Sequence, residues 1–124
     1  MIRIVFYNAD AGLIGFRAHG HAGYAESGSD IVCAAVSGIL ETACEGITSV
    51  LHIDAQVQQN DESGFLSCQL PPSLPETSRH DAGVMLAAAQ AGLRAIQRQY
   101  PDHVRLISRK WRPSHDDEFT AFRP

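Results

Sequence analysis

Leu13-Ile14-Gly15-Phe16-Arg17-Ala18-His19-Gly20-His21-Ala22-Gly23-Tyr24-Ala25-Glu26-Ser27-Gly28-Ser29-Asp30-Ile31-Val32-Cys33-Ala34-Ala35-Val36 changes its hydrophobic period part-way along. Leu13 to Gly20 reads as an extended run, with Ile14, Phe16 and Ala18 on one face and Arg17, His19 and, if the strand continues, His21 on the other. Gly20 to Ser29 carries three glycines, Gly20, Gly23 and Gly28, and predicts a mobile loop. From Asp30 to about Leu51 the period becomes helical, because Val32, Val36, Ile39, Ala43, Ile47 and Val50 recur at steps of three and four. Asp30, preceded by glycine and serine, is a good N-cap. Ala34, Ala35 and Gly38 give this helix a narrow side against which another backbone can pack.

Upstream, Ile2 to Tyr7 is β-branched and aromatic, and Asn8 to Gly12 is a turn cluster, so the chain opens with a hairpin. Downstream, Asp54 to Gln59 and Phe65 to Leu70 form a second hairpin around Asn60-Asp61-Glu62-Ser63-Gly64. Pro71, Pro72 and Pro75 stiffen the connection that follows. Ser78 with Asp81 resembles a capping box that starts a helix reaching Tyr100, with Met85, Leu86, Ala89, Leu93 and Ile96 as its apolar stripe. Pro101 stops it, Val104 to Ser108 is a last strand, and Arg109 to Pro124 is a polar tail expected to be flexible. The order ββαββαβ predicts an α+β two-layer sandwich: one domain over residues 1–108, with two helices on one face of a mostly antiparallel five-stranded sheet.

At 124 residues the chain fits one domain, and 44% apolar against 19% charged residues is enough to close a core. Ten Lys and Arg against fourteen Asp and Glu give a formal charge of −4, which argues against direct contact with nucleic acid and suits a basic peptide. Met1 to Phe6 lacks the pattern of a secretory leader, and no window approaches eighteen uninterrupted apolar residues. The expectation is a cytoplasmic protein that does not cross a membrane. Cys33, Cys44 and Cys68 lie in apolar segments and not at the spacing of a disulfide scaffold, so each thiol is read singly. Cys44 and Cys68 read as core.

Cys33 is the most suggestive residue. It falls at the third helical position, where backbone N–H groups and the positive end of the helix dipole favour a thiolate. His21, across the glycine-rich loop, is the nearest candidate base. The helix-end amides would hold the oxyanion as a carbonyl is attacked. The alternative is that Cys33 is a small buried hydrophobe. Asp30 either caps the helix or also orients His21, and Ser37 lies one turn beyond Cys33 on the same face. His19, His21 and Cys33 would make three ligands of a metal site, but without further ligands no metal is assigned. Arg17 reads as a surface arginine or as a partner for a substrate carboxylate. Trp111, with Phe119 and Phe122, makes the tail more aromatic than a plain appendage.

His19-Gly20-His21-Ala22 and Gly28-Ser29-Asp30-Ile31-Val32-Cys33-Ala34-Ala35-Val36-Ser37 closely resemble the signature of the bacterial ribosomal-processing cysteine proteases. Arg79-His80-Asp81, Gly92-Leu93, Ile96 and Tyr100-Pro101 extend the resemblance over about residues 1–108. The resemblance implies His21 and Cys33 as a catalytic pair, Asp30 and Ser37 in support, and the loop of Gly20, Gly23 and Gly28 shaping the substrate site. It also implies a homodimer, without a cofactor, that removes a short N-terminal extension from a large-subunit ribosomal protein. The competing expectation is a ribosome-associated module of the same fold that binds this peptide without cleaving it.

Overall fold

The computed structural model describes residues 1–21, 23 and 30–112. Strand β1 (Ile2–Ala9) and strand β2 (Gly12–His19) form the first hairpin, and helix α1 (Ile31–Glu45) runs on into a π-helical turn, Gly46–Val50. Strands β3 (Gln56–Asn60) and β4 (Phe65–Gln69) form the second hairpin, followed by helix α2 (Glu76–Gln99) and strand β5 (Val104–Lys110). The element order matches ββαββαβ.

The sheet order is β3-β4-β2-β1-β5. Three of its neighbouring pairs are antiparallel, and the fourth, β1 with β5, is parallel from Ile2↔Val104 to Asn8↔Lys110. The sheet is therefore mixed. Each helix is a crossover between two strands that run the same way, β2 to β3 and β4 to β5. The two crossovers run in opposite directions across the sheet and start from oppositely directed strands, so right-handed connections place both helices on the same face. One core lies between that face and the helices. Ile4, Phe6, Phe16, Leu66 and Cys68 of the sheet meet Val36 and Leu40 of α1 and Leu86 and Leu93 of α2.

Several local expectations are corrected. Tyr7 pairs with Gly15 but Asn8 with Leu13, so β2 bulges by one residue at Ile14. The bulge reverses the alternation: Leu13 packs on the helix-side core, and Ile14 joins Val5, Tyr7, Ile107 and Trp111 on the opposite face. Along the first helix Leu40 joins the expected stripe in the core and Ile39 is half-buried against it, whereas Val50, expected on the same stripe, lies in the π-helical turn and is exposed. Helix α2 begins two residues before Ser78. Pro75 occupies the N-cap without a side-chain hydrogen bond, Arg79 N donates to Pro75 O, and Glu76 places a negative charge against the dipole. The Ser78/Asp81 box thus lies inside the helix.

At the other end, β5 runs past the expected boundary at 108 to Lys110. Trp111 N donates to Asn8 O, and the indole meets Tyr7 edge to face at 5.5 Å. Residues 113–124 of the expected tail lie outside the described residues. Ile31–Val50 is long and apolar enough by composition to cross a bilayer. Its buried residues Val32, Val36, Leu40 and Ala43 join the core shared with α2 and the sheet, which is how a core helix packs.

Candidate active site

Asp30 is buried and extended (φ −78°, ψ 105°), and its Oδ1 accepts hydrogen bonds from the backbone N–H groups of Val32 and Cys33 at 3.0 Å each. Ala34 N donates to Asp30 O at 3.1 Å, which closes the first turn. The capping role expected of Asp30 is therefore present. One expectation fails with it: the amides of Val32 and Cys33 are engaged by the Asp30 carboxylate and are not aimed at a developing oxyanion. Asp30→Ala is expected to destabilise the fold by about 1 kcal/mol and Asp30→Asn by much less, measured by thermal unfolding, because asparagine caps almost as well.

Cys33 sits half-buried at the third position of α1. His21 reaches the same place by a different route. Strand β2 ends at His19, and Gly20 adopts φ +99°, where a Cβ would stand 2.5 Å from Met1 O. The turn at Gly20 takes His21 off the strand, so it does not continue the face of Arg17 and His19 as expected. A cavity of about 150 Å³ is instead lined by His21, Cys33 and Ser37, with Val36, Leu40 and Leu66 in its wall. Ser37 is exposed one turn beyond Cys33. His21 Nε2 lies 3.3 Å from Glu62 O, in the turn between β3 and β4. Gly23 is exposed at φ +71°. Gly28, with the mobility expected of the loop, lies outside the described residues.

His19 stays on the strand. Burial, and then the charges of Arg17 and Arg3, push the pKa of its imidazole down, which favours the neutral ring. Among the described residues no three of His, Cys, Asp and Glu are grouped to hold a metal, and the trio His19, His21 and Cys33 does not assemble. Arg17 is buried, paired across the strands with Ser67, and does not line the cavity. Cys44 and Cys68 are buried in the core as expected. A hydrogen bond with Cys44, and then burial, push the Cys68 thiol up, so it stays protonated.

Sequence reasoning missed the contribution of the second hairpin. Gln59, Asn60, Asp61 and Gly64 line the cavity, and Glu41 adds a carboxylate two turns beyond Cys33. Only the spacing of Cys33, Ser37 and Glu41, four residues apart on one helix face, carried a signal for any of these.

A family model described as cysteine protease Prp matches residues 1–105. The chain belongs to the cysteine protease Prp family. As a Prp member it is a cysteine protease. The ribosomal processing cysteine protease Prp of Bacillus subtilis is 28% identical over 99 residues, 80% of this chain and 88% of that protein. A Prp protein of Staphylococcus aureus bearing the same description is 26% identical over 87 residues, 70% of this chain and 78% of that one. Among solved structures, an essential ribosomal processing Prp protease from S. aureus, in complex with a covalently linked product peptide, superposes with a TM-score of 0.77 at 24% identity. The match covers 87% of this chain and 99% of that one. A protein from Streptococcus mutans also reaches 0.77, at 22% identity over 90% of this chain and 96% of its own. These superpositions establish the shared α+β fold.

Proposed function

We propose that this Prp protease removes a short N-terminal extension from a large-subunit ribosomal protein in the cytoplasm, with His21 and Cys33 as its catalytic pair and Asp30 and Ser37 in support. The observation that carries the reading is the single cavity that brings His21, Cys33 and Ser37 together at the capped start of α1. The Cys33 thiol gives its proton to His21 and attacks the scissile carbonyl. The peptide bond breaks, the leaving amine takes the proton, and water then hydrolyses the thioester. Asp30 fixes the helix start from which the sulfur projects. The loop bearing Gly20, Gly23 and Gly28 shapes the approach of the peptide.

The ribosomal-processing description of the relatives supports the substrate class. The cavity's chemistry agrees with it: Glu41 and Asp61 line it, and the chain carries a net charge of −4, which favours a basic segment. The homodimer implied by the resemblance is part of the same proposal. It is supported by the exposed Ala34, Ala35 and Gly38, which line an apolar groove of about 890 Å³ between α1 and α2. The test is mass spectrometry of the ribosomal protein incubated with the wild-type chain. A product shortened at its N-terminus by one defined mass is expected, and full-length protein, bound but intact, would overturn the reading in favour of a binding module.

A further inference from the structure

The turn between β3 and β4 meets His21 through one carbonyl and packs close beside it. The carbonyl oxygen of Glu62 lies 3.3 Å from His21 Nε2. A carbonyl carries no proton, so this hydrogen bond exists only when Nε2 does. Gly64 (φ +66°) is packed so closely on the same segment that a Cβ there would stand 2.5 Å from Gly20 O and 3.2 Å from His21 Cε1. The turn is held from inside. Asn60 Oδ1 accepts from the backbone N–H groups of Glu62 at 3.0 Å and Ser63 at 3.4 Å, which fixes the peptide plane next to the carbonyl that meets the histidine.

From this geometry we infer that the main-chain carbonyl of Glu62 is the third member of the catalytic constellation, and that Asn60 and Gly64 are positioning residues acting through it. The inference rests on the proposed pairing of His21 with Cys33. A histidine base needs one nitrogen proton-bearing and anchored, and the other bare and facing the nucleophile; a carboxylate or amide side chain usually supplies the anchor. Here Asp30 places its Oδ1 on the helix amides, and the Glu62 carbonyl faces the ring. Nε2–H donates to Glu62 O, so the lone pair of Nδ1 is left to accept the Cys33 thiol proton. That proton goes on to the leaving amine, while Nε2 keeps its own throughout.

Two measurements test this. The first is the ¹⁵N NMR spectrum of His21 in the wild-type chain, assigned by comparison with His21→Gln. A protonated Nε2 and a bare Nδ1 are expected, and a neutral ring protonated at Nδ1 overturns the inference. This readout needs no turnover, so a chain that shows Nε2–H yet cleaves nothing would sink the protease reading and leave the assignment of the anchor standing. The second is steady-state cleavage by Asn60→Ala and Gly64→Ala. Each is expected to lower kcat about ten-fold with KM within about two-fold, and Asn60→Asp, which keeps the accepting oxygen, to recover most of the loss. If Gly64→Ala does not fold, Asn60→Ala decides alone. A kcat within two-fold of wild type, or a loss confined to KM, overturns the inference.

Discussion

Cys33→Ala is expected to lower kcat on the ribosomal-protein extension by about 10⁴-fold or more, with KM little changed. No other residue in the cavity replaces a sulfur nucleophile at the start of α1, and water attacking the same carbonyl lacks the acyl-enzyme route. His21→Ala is expected to cost nearly as much. Residues that act as one unit are strongly non-additive, so the double variant should be no slower than the worse single one. Single-turnover kinetics with a fluorogenic peptide spanning the cleavage site measures this. Cys44→Ala provides the contrast: its sulfur lies in the core and does not line the cavity, so turnover per folded molecule should hold while stability falls. A Cys33→Ala chain that cleaves at the wild-type rate would end the assignment.

The largest effect on stability is expected at Phe16. Its ring is fully buried, meets that of Phe6 at 5.6 Å and 37°, and sits on the central strand with Phe6 as partner on one side and Cys68 on the other. Phe16→Ala removes that ring from between the two hairpins and leaves a cavity the sheet cannot collapse into, at a cost of about 3–5 kcal/mol. For a domain of this size that corresponds to a melting temperature lower by about 10–20 °C, read by scanning calorimetry. Val84, apolar but 55% exposed on α2, sets the control: Val84→Ala should change stability by less than about 0.5 kcal/mol. Equal losses at the two positions would mean that the core is not centred where the sheet and helices meet.

Much of this was legible in the residues. Periodicity placed both hairpins and both helices to within a few residues, because the core side chains recur at the spacing their elements require. Asp30 and Cys33 were legible because a cap and the residue three places after it are fixed by local geometry alone. The errors arose where one residue shifted the count: the bulge moved Ile14 off the face that Phe16 and Ala18 keep, and the positive φ of Gly20 took His21 off the strand. Neither leaves a mark on a hydrophobic pattern. The parallel pairing of β5 with β1 was hidden too, since strand order depends on contacts between segments a whole chain apart. The Glu62 carbonyl had no signal at all, because every residue carries one and only the fold decides which of them meets a histidine.

The parallel β1–β5 ladder also sets the order in which the molecule can be finished. Its two strands are separated by about a hundred residues, so the pairing is among the least local in the chain and among the slowest to form. During synthesis β1 can acquire β2 as a neighbour early, yet its other edge stays open until Val104 to Lys110 have left the ribosome. An open edge flanked by Ile2, Ile4 and Phe6 invites pairing with another nascent chain. Among the described strands, the one made latest therefore acts as the seal on the first, and truncation within it should show up as aggregation before it shows up as lost catalysis.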